Sequence, residues 1–335
     1  MGPLKALVSC EAEVLPPGSR LLVACSGGRD SMALCHALRA ADRWAVFVAT
    51  VDHGLRSGSA DDAAFVVEQM HAWGLPAVAL RPAATGAMDG AEGPEDAARR
   101  RRHAALETER RRIGAERIVY AHTADDQVET MLMRFASGAG AAGLAAMAPV
   151  AGVRARPWLS VRRSAVERYA AGEGVPYRDD PTNADLRFLR NRLRAELMPV
   201  FESVFGPAGV SGSLRTGRLA RMTADALAVA SAALPAEGPV VDARGATLRV
   251  PLGPFLAAPA ALRRVAVHHW ICAVYDAAGR ARPRQMSDRA NRVAAIMEGP
   301  AGRSVGGRDG FSVRSAGGLV TVRVEGTGPA ASLFD

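Results

Sequence analysis

The stretch LLVACSGGRDSMAL, residues 21–34, decides how the chain is read. Its first five residues are apolar without interruption, as in a short strand buried on both faces. The run stops at Ser26-Gly27-Gly28. Arg29, Asp30 and Ser31 follow, and apolar spacing then resumes at Met32, Cys35 and Leu38 with the period of a helix. Ligands of open α/β sheets bind beyond the carboxyl ends of the strands, which is where this bend lies. Glycines let backbone N–H groups approach an anion closely, and the helix that follows offers its positive N-terminus. Ser26 and Ser31 add hydroxyl donors, so the bend reads as a phosphate cradle. It is neither the lysine-bearing P-loop nor the G-x-G-x-x-G fingerprint. Instead it carries an acid, Asp30, within the cradle. A carboxylate beside phosphates is repulsive unless a cation bridges them, which implies Mg²⁺.

Outward from this bend the pattern alternates. Strands are expected at 45–51, 77–80 and 117–121, and helices at 31–40, 60–72, 95–113 and 125–135. Alternation of this kind predicts right-handed βαβ units and a doubly wound parallel sheet. Residues 137–149, rich in Gly and Ala, read as a loop or hinge. A helix is expected at 164–172. Residues 186–197 read as a strongly basic helix ended by Pro199. An Ala-rich helix at 214–233 follows, then strands within 240–250, helices at 261–274 and 284–297, and a hairpin at 311–324 turning at Ala316-Gly317-Gly318. The expected division is 1–155, catalytic; 156–235, helical; and 236–335, a small α+β region.

Composition bounds the function. The chain has 335 residues, 49% of them hydrophobic, so it folds around a sizeable core. No apolar run is long enough to span a membrane, and the N-terminus does not resemble a signal peptide. The four cysteines, Cys10, Cys25, Cys35 and Cys272, form no Cys-x-x-Cys, which fits a reducing, cytoplasmic setting. Net charge is +8, but residues 151–335 hold 26 Arg against 16 Asp+Glu, whereas residues 1–150 hold 16 Lys+Arg against 18. A polyanion would meet the second half first.

The SGGRDS bend resembles the S-G-G-x-D-S pyrophosphate loop of the N-type ATP pyrophosphatases. Four further segments narrow the resemblance: Asp52-His53-Gly54-Leu55-Arg56, Glu95-Asp96-Ala97-Ala98-Arg99, the run from Ala121 to Thr130 (AHTADDQVET), and Arg190-Asn191-Arg192-Leu193-Arg194 preceded by Asp180-Pro181-Thr182-Asn183. In this order they look like the tRNA(Ile)-lysidine synthetases, over roughly residues 20–200. The resemblance implies an adenine nucleotide alpha hydrolase-like fold. It also implies a carbon–nitrogen ligase that uses ATP and Mg²⁺, with tRNA(Ile) bearing the CAU anticodon and free L-lysine as partners. A homodimer is left open. Thr123 stands where the family often has a second His. The alternative, a tRNA-thiolating pyrophosphatase, needs catalytic or cluster-binding cysteines; Cys25 and Cys35 read as small core residues.

The resemblance implies roles residue by residue. Ser26, Gly27, Gly28, Arg29, Asp30 and Ser31 would hold ATP, with Asp52 and His53 lining the adenosine pocket. Asp30, Arg99, His122, Asp126 and Glu129 would be catalytic, and Asp30 and Glu129 would hold the metal. Asp125, Arg190, Asn191 and Arg194 would meet lysine or tRNA. Read as residues alone, Asp126 and Glu129 could equally be a helix-capping pair, and Arg100–Arg102 a solvated run. Which acid faces metal and which faces lysine is left open.

Overall fold

The computed structural model describes residues 2–8, 13–52, 54, 58–82, 94–178, 185–280, 286–299, 302, 304–307 and 310–325. The chain divides into two compact units, Met1–Ala220 and Arg221–Asp335. In the first, α1 (Pro3–Val8) precedes β1 (Arg20–Ala24), α2 (Arg29–Ala41), β2 (Ala45–Val51), α3 (Ser59–Ala72), β3 (Ala77–Leu80), α4 (Pro94–Arg112) and β4 (Arg117–Val119). Then come α5 (Ala124–Ala136), α6 (Ala141–Leu144), β5 (Val150–Ala151), β6 (Arg154–Ala155), α7 (Arg163–Gly172) and α8 (Leu189–Arg192).

The sheet order is β3-β2-β1-β4-β6-β5, parallel except for β5 against β6. Leu22 of β1 sits in register between Phe47 and Ile118. The chain runs outward from β1 through β2 to β3, then crosses back to place β4 on the other side of β1. That reversal is a topological switch point, and it leaves a crevice at the carboxyl end of β1.

Alternation along β1 divides the core. Leu21 and Val23 join Met32, Leu38, Val66 and Trp158 under α2, α3 and α7, while Leu22 joins Leu106 and Ile118 on the side of α4. The strand is thus buried on both faces, which is why its sequence shows no polar alternation.

Two expectations need correction. Residues 137–149 contain α6, a single helical turn favoured by alanine. Pro199 does not end the basic helix. After α8 the chain widens into a π-helical turn, Leu193–Leu197, and continues into α9 (Met198–Ala232). The Met198 N–H reaches back to the Leu193 carbonyl, and this opening of the ladder accommodates a ring that has no N–H to donate. The real interruption is Gly206, at φ 59°, after which Pro207 opens the next segment of α9.

The second unit holds β7 (Glu237–Asp242), β8 (Gly245–Pro251), α10 (Leu252–Ala257), α11 (Ala260–Ala277), α12 (Met286–Glu298), β9 (Ser304–Gly306), β10 (Phe311–Ala316) and β11 (Leu319–Glu325). Its sheet, β7-β8-β11-β10-β9, is antiparallel throughout. Val267 and Ile271 of α11 share one core with Leu248, Val320 and Val322. The β10–β11 hairpin turns through Gly317 and Gly318, both at positive φ, as expected from the sequence. Among the described residues no helix is long and apolar enough to cross a membrane.

Candidate active site

The cradle forms where β1 meets α2. Gly27 has φ 83°, and a Cβ there would lie 3.1 Å from Val66 Cγ2, so both conformation and space call for glycine. Gly28 is the N-cap of α2 and supplies no capping side chain. The first-turn N–H groups therefore lack the side-chain acceptor that a Ser or Asp cap would provide, and they suit an anion. Ser31 braces the bend: its hydroxyl donates to the Gly28 carbonyl at 2.8 Å and accepts from the Ser26 N–H at 3.1 Å. The Ser26 hydroxyl lies 3.2 Å from that of Ser31. Arg29 turns to Glu167, at 2.5 Å, and lies over the Tyr177 ring.

A cavity of about 820 Å³ opens in front of the bend, within the roughly 300–1,000 Å³ typical of ligand sites. Ser26, Gly28, Asp30 and Ser31 line it from one side, and Arg99, His122, Asp126 and Arg194 reach it from elsewhere in the chain. Asp30 has one buried oxygen, Oδ1, with no hydrogen-bond partner, and the other lies 3.7 Å from Arg163. Burial, reinforced by the nearby Asp126, raises its pKa, although Arg163 opposes the shift. Burial likewise pushes His122 down to about 4, so the imidazole is neutral at pH 7, and its Nδ1 is buried without a partner.

The acids of α5 are engaged by arginines. Asp126 completes a capping box with Thr123, whose N–H donates to Asp126 Oδ2 at 2.8 Å. The capping reading of Asp126 thus holds, with Thr123 rather than Glu129 as its mate. The other oxygen of Asp126 accepts from Arg163 at 3.0 Å and from Arg194 at 2.6 Å. Burial alone would raise this acid, but Arg163 and Arg194 outweigh it and hold the pKa at about 2. Glu129 is fully buried and accepts from Arg163, Arg194 and Arg190 at 3.1, 2.7 and 3.1 Å. Asp125 accepts from the Arg163 N–H at 2.6 Å and from Arg162. Neither Glu129 nor Asp125 lines the cavity.

The profile of the PP-loop domain matches residues 5–201. The chain belongs to the PP-loop domain family. It is 43% identical over 237 residues to a tRNA(Ile)-lysidine synthase of Streptomyces coelicolor, covering 69% of this chain and 66% of that protein. It is 44% identical over 216 residues to that of Thermobifida fusca, covering 64% and 66%. The matched region thus spans just under two thirds of these relatives. Among solved structures, a U34-tRNA thiolase of Methanococcus maripaludis with its [4Fe-4S] cluster aligns with TM-score 0.55 at 15% identity, over 65% of this chain and 78% of that one. That likeness is one of fold.

Within the PP-loop domain, the expected residues separate into those at the cavity and those behind it. The cradle, Asp30, Arg99, His122, Asp126 and Arg194 converge on the cavity. Asp52 does not reach it. Its Oδ1 accepts from the Ser59 hydroxyl at 2.6 Å and the Gly54 N–H at 3.0 Å, which ties the end of β2 to the start of α3 and lowers its pKa. His53 and the 180–183 segment lie outside the described residues. Asn191 donates to the Asp185 carbonyl at 3.0 Å and also lies off the cavity. A divalent cation fits Asp30, an acid in the first turn of α2 beside the phosphate cradle with one oxygen that has no hydrogen-bond partner; Mg²⁺ characteristically binds one or two carboxylates, phosphate oxygens and water. Glu129, the other expected metal ligand, gives both oxygens to arginines, because α8 and the π turn lay Arg190 and Arg194 along α5.

Sequence reasoning missed Arg163. This residue starts α7 and contacts Asp30, Asp126 and Glu129 together. Burial opposes its charge, but those three carboxylates outweigh the penalty and raise its pKa. Arg162-Arg163 carries no motif, and only the fold brings it to α5, 34 and 37 residues away. Arg102 was expected on the surface, yet it lines the cavity with a buried Nε. The run wraps around α4, so Arg100 and Arg101 face elsewhere.

Proposed function

We propose that this protein ligates free lysine to the wobble cytidine of tRNA(Ile) with anticodon CAU, through an adenylated cytidine, releasing AMP and pyrophosphate. The observation that carries this reading is Asp30: an acid with a bare buried oxygen at a glycine–serine phosphate cradle, opening on a cavity shared with a neutral His122 and an ionised Asp126. The named relatives support the RNA substrate.

The first-turn N–H groups of α2 and the Ser26 hydroxyl hold the ATP phosphates. Mg²⁺ bound at Asp30 would neutralise their charge. The cytidine carbonyl oxygen attacks the α-phosphorus and pyrophosphate leaves, which turns a poor leaving oxygen into AMP. The lysine ε-amine then attacks the activated ring carbon, and AMP departs. Asp126, ionised and at the cavity wall, fixes Arg163 and Arg194 there, because Thr123 and these two arginines take both its oxygens. His122, neutral at pH 7, accepts the proton lost after attack; the cationic adduct is acidic enough for a weak base to serve. Most of the acceleration comes from positioning and charge stabilisation. Sulfur transfer is disfavoured because Cys25 and Cys35 are free thiols buried in the core, where they hydrogen-bond to each other.

The test incubates the protein with ATP, radiolabelled lysine and tRNA(Ile) bearing CAU. Label is expected in acid-insoluble RNA that resists mild base, which an aminoacyl ester does not. Asp30→Ala should lower tRNA-driven ATP–pyrophosphate exchange by about a hundredfold or more. Undiminished exchange in that variant would remove the role given to Asp30, and no label with the native protein would remove the ligase reading.

A further inference from the structure

The arginines in and behind the cavity wall are of two kinds. Arg163, Arg190 and Arg194 are matched by Asp126 and Glu129. A second group is placed differently. Arg99 and Arg102 lie one turn apart on α4, while Arg154 belongs to β6 and Arg156 follows it. All four bear on His103 and on the Tyr120 hydroxyl, which are joined by a 3.0 Å hydrogen bond. Arg156 lies over the Tyr120 ring and donates to the Ala148 carbonyl at 2.9 Å. Arg99, Arg102 and Arg154 have no carboxylate partner among the described residues, and the buried Nε of Arg102 has no acceptor. Arg99, Arg102 and Arg156 line the same cavity as Asp30. Like charges gathered in a partly desolvated wall repel, and a buried donor without an acceptor is costly. Both costs vanish when an anion enters.

We propose that Arg99, Arg102, Arg154 and Arg156 form a second anion subsite, separate from the glycine–serine cradle, that grips the phosphodiester backbone of the RNA strand whose base is presented to ATP. This rests on the RNA substrate proposed above. Two features favour an RNA backbone over the carboxylate of an amino acid. One bidentate guanidinium satisfies a carboxylate, whereas several guanidinium groups suit successive phosphates. The wall is also graded, from exposed Arg99 through half-buried Arg102 and Arg154 to buried Arg156. A strand can therefore be held along its backbone while one unstacked base passes inward.

The experiment compares the native protein with Arg102→Gln/Arg154→Gln, and with Arg101→Gln as a control whose guanidinium donates to Ala97 on its own helix. Binding of a CAU anticodon stem–loop is followed by fluorescence anisotropy between about 50 and 200 mM salt. ATP binding and the lysine KM in the ligation assay are measured alongside. The double variant should bind RNA about tenfold more weakly, with a log–log salt slope shallower by about 1–2. ATP binding, which also reports an intact fold, and the lysine KM should stay unchanged, and Arg101→Gln should match the native protein. A rise confined to the lysine KM would assign the wall to a carboxylate and overturn the proposal. Weakened ATP binding would assign it to the triphosphate and do the same, as would no change in any of the three. A native protein that binds the stem–loop but transfers no lysine would sink the ligase reading and still leave this comparison readable.

Discussion

At the scale of single residues, burial and neighbouring charges move the titration of several site groups away from their ordinary range. His122 is the clearest case. Its pKa falls from 6.5 to about 4 because burial penalises the charged ring more than Asp126 stabilises it. The unfolded chain therefore takes up this proton first. Above pH ~6.5 the group contributes nothing to stability differences; between about 6.5 and 4 stability is lost; below 4 no more is lost. The shift corresponds to at most ~3 kcal/mol. Urea unfolding of the native protein and His122→Asn at pH 7.5 and pH 4 checks this: the variant should lose less stability by about that amount. Equal losses would mean that the ring is solvated. The neutral state also bears on the proposed reaction, in which only an unprotonated imidazole could accept a proton from the attacking amine.

At the scale of elements, two packing arrangements position the chemistry. Trp158 is fully buried against the sheet, donates to the Pro3 carbonyl, and precedes the turn that delivers Arg162 and Arg163 to α5. Trp158→Ala should cost about 3–5 kcal/mol by cavity formation, read as a lower unfolding midpoint. Trp158→Phe should cost less, because it keeps most of the buried ring. The second arrangement is α5 against the α8–α9 segment, where Val128, Leu193, Met198 and Val210 share a small core. That core aligns Arg190 and Arg194 with Glu129. The basic segment was legible from its run of arginines, but its packing and shape were not: of Phe188, Leu189, Leu193 and Leu197 only Leu193 is buried, and the chain continues past Pro199 through a π turn where a proline ordinarily stops a helix.

At the scale of the molecule, charge and architecture are distributed unevenly. Residues 236–335 carry 13 Arg against 8 Asp+Glu, while the cradle, cavity and acid cluster all lie in the unit Met1–Ala220. A chain ending at residue 235 should retain ATP binding, because every cradle residue remains. It should bind tRNA more weakly and with a shallower salt dependence, because part of the positive excess has gone. Filter binding of tRNA and calorimetric titration with ATP check the two halves of this expectation. ATP binding lost with the second unit would mean that the first does not hold its own site.

The sequence by itself determined the order of strands and helices from β1 to α5 and the place of the cradle, though not α1, α6, β5 or β6, because the former carry local signals: apolar periodicity, two glycines at a strand end, an acid in the first helical turn. It also placed the β10–β11 turn at paired glycines. The partners of the acids were decided only by the tertiary structure. Asp126 and Glu129 are adjacent on α5 in any reading, but Arg163, Arg190 and Arg194 reach them from 34 to 68 residues away. Ionic and desolvation energies depend on distances through space, so a string of residues can announce a carboxylate without saying whether a metal, a substrate amine or an arginine will face it.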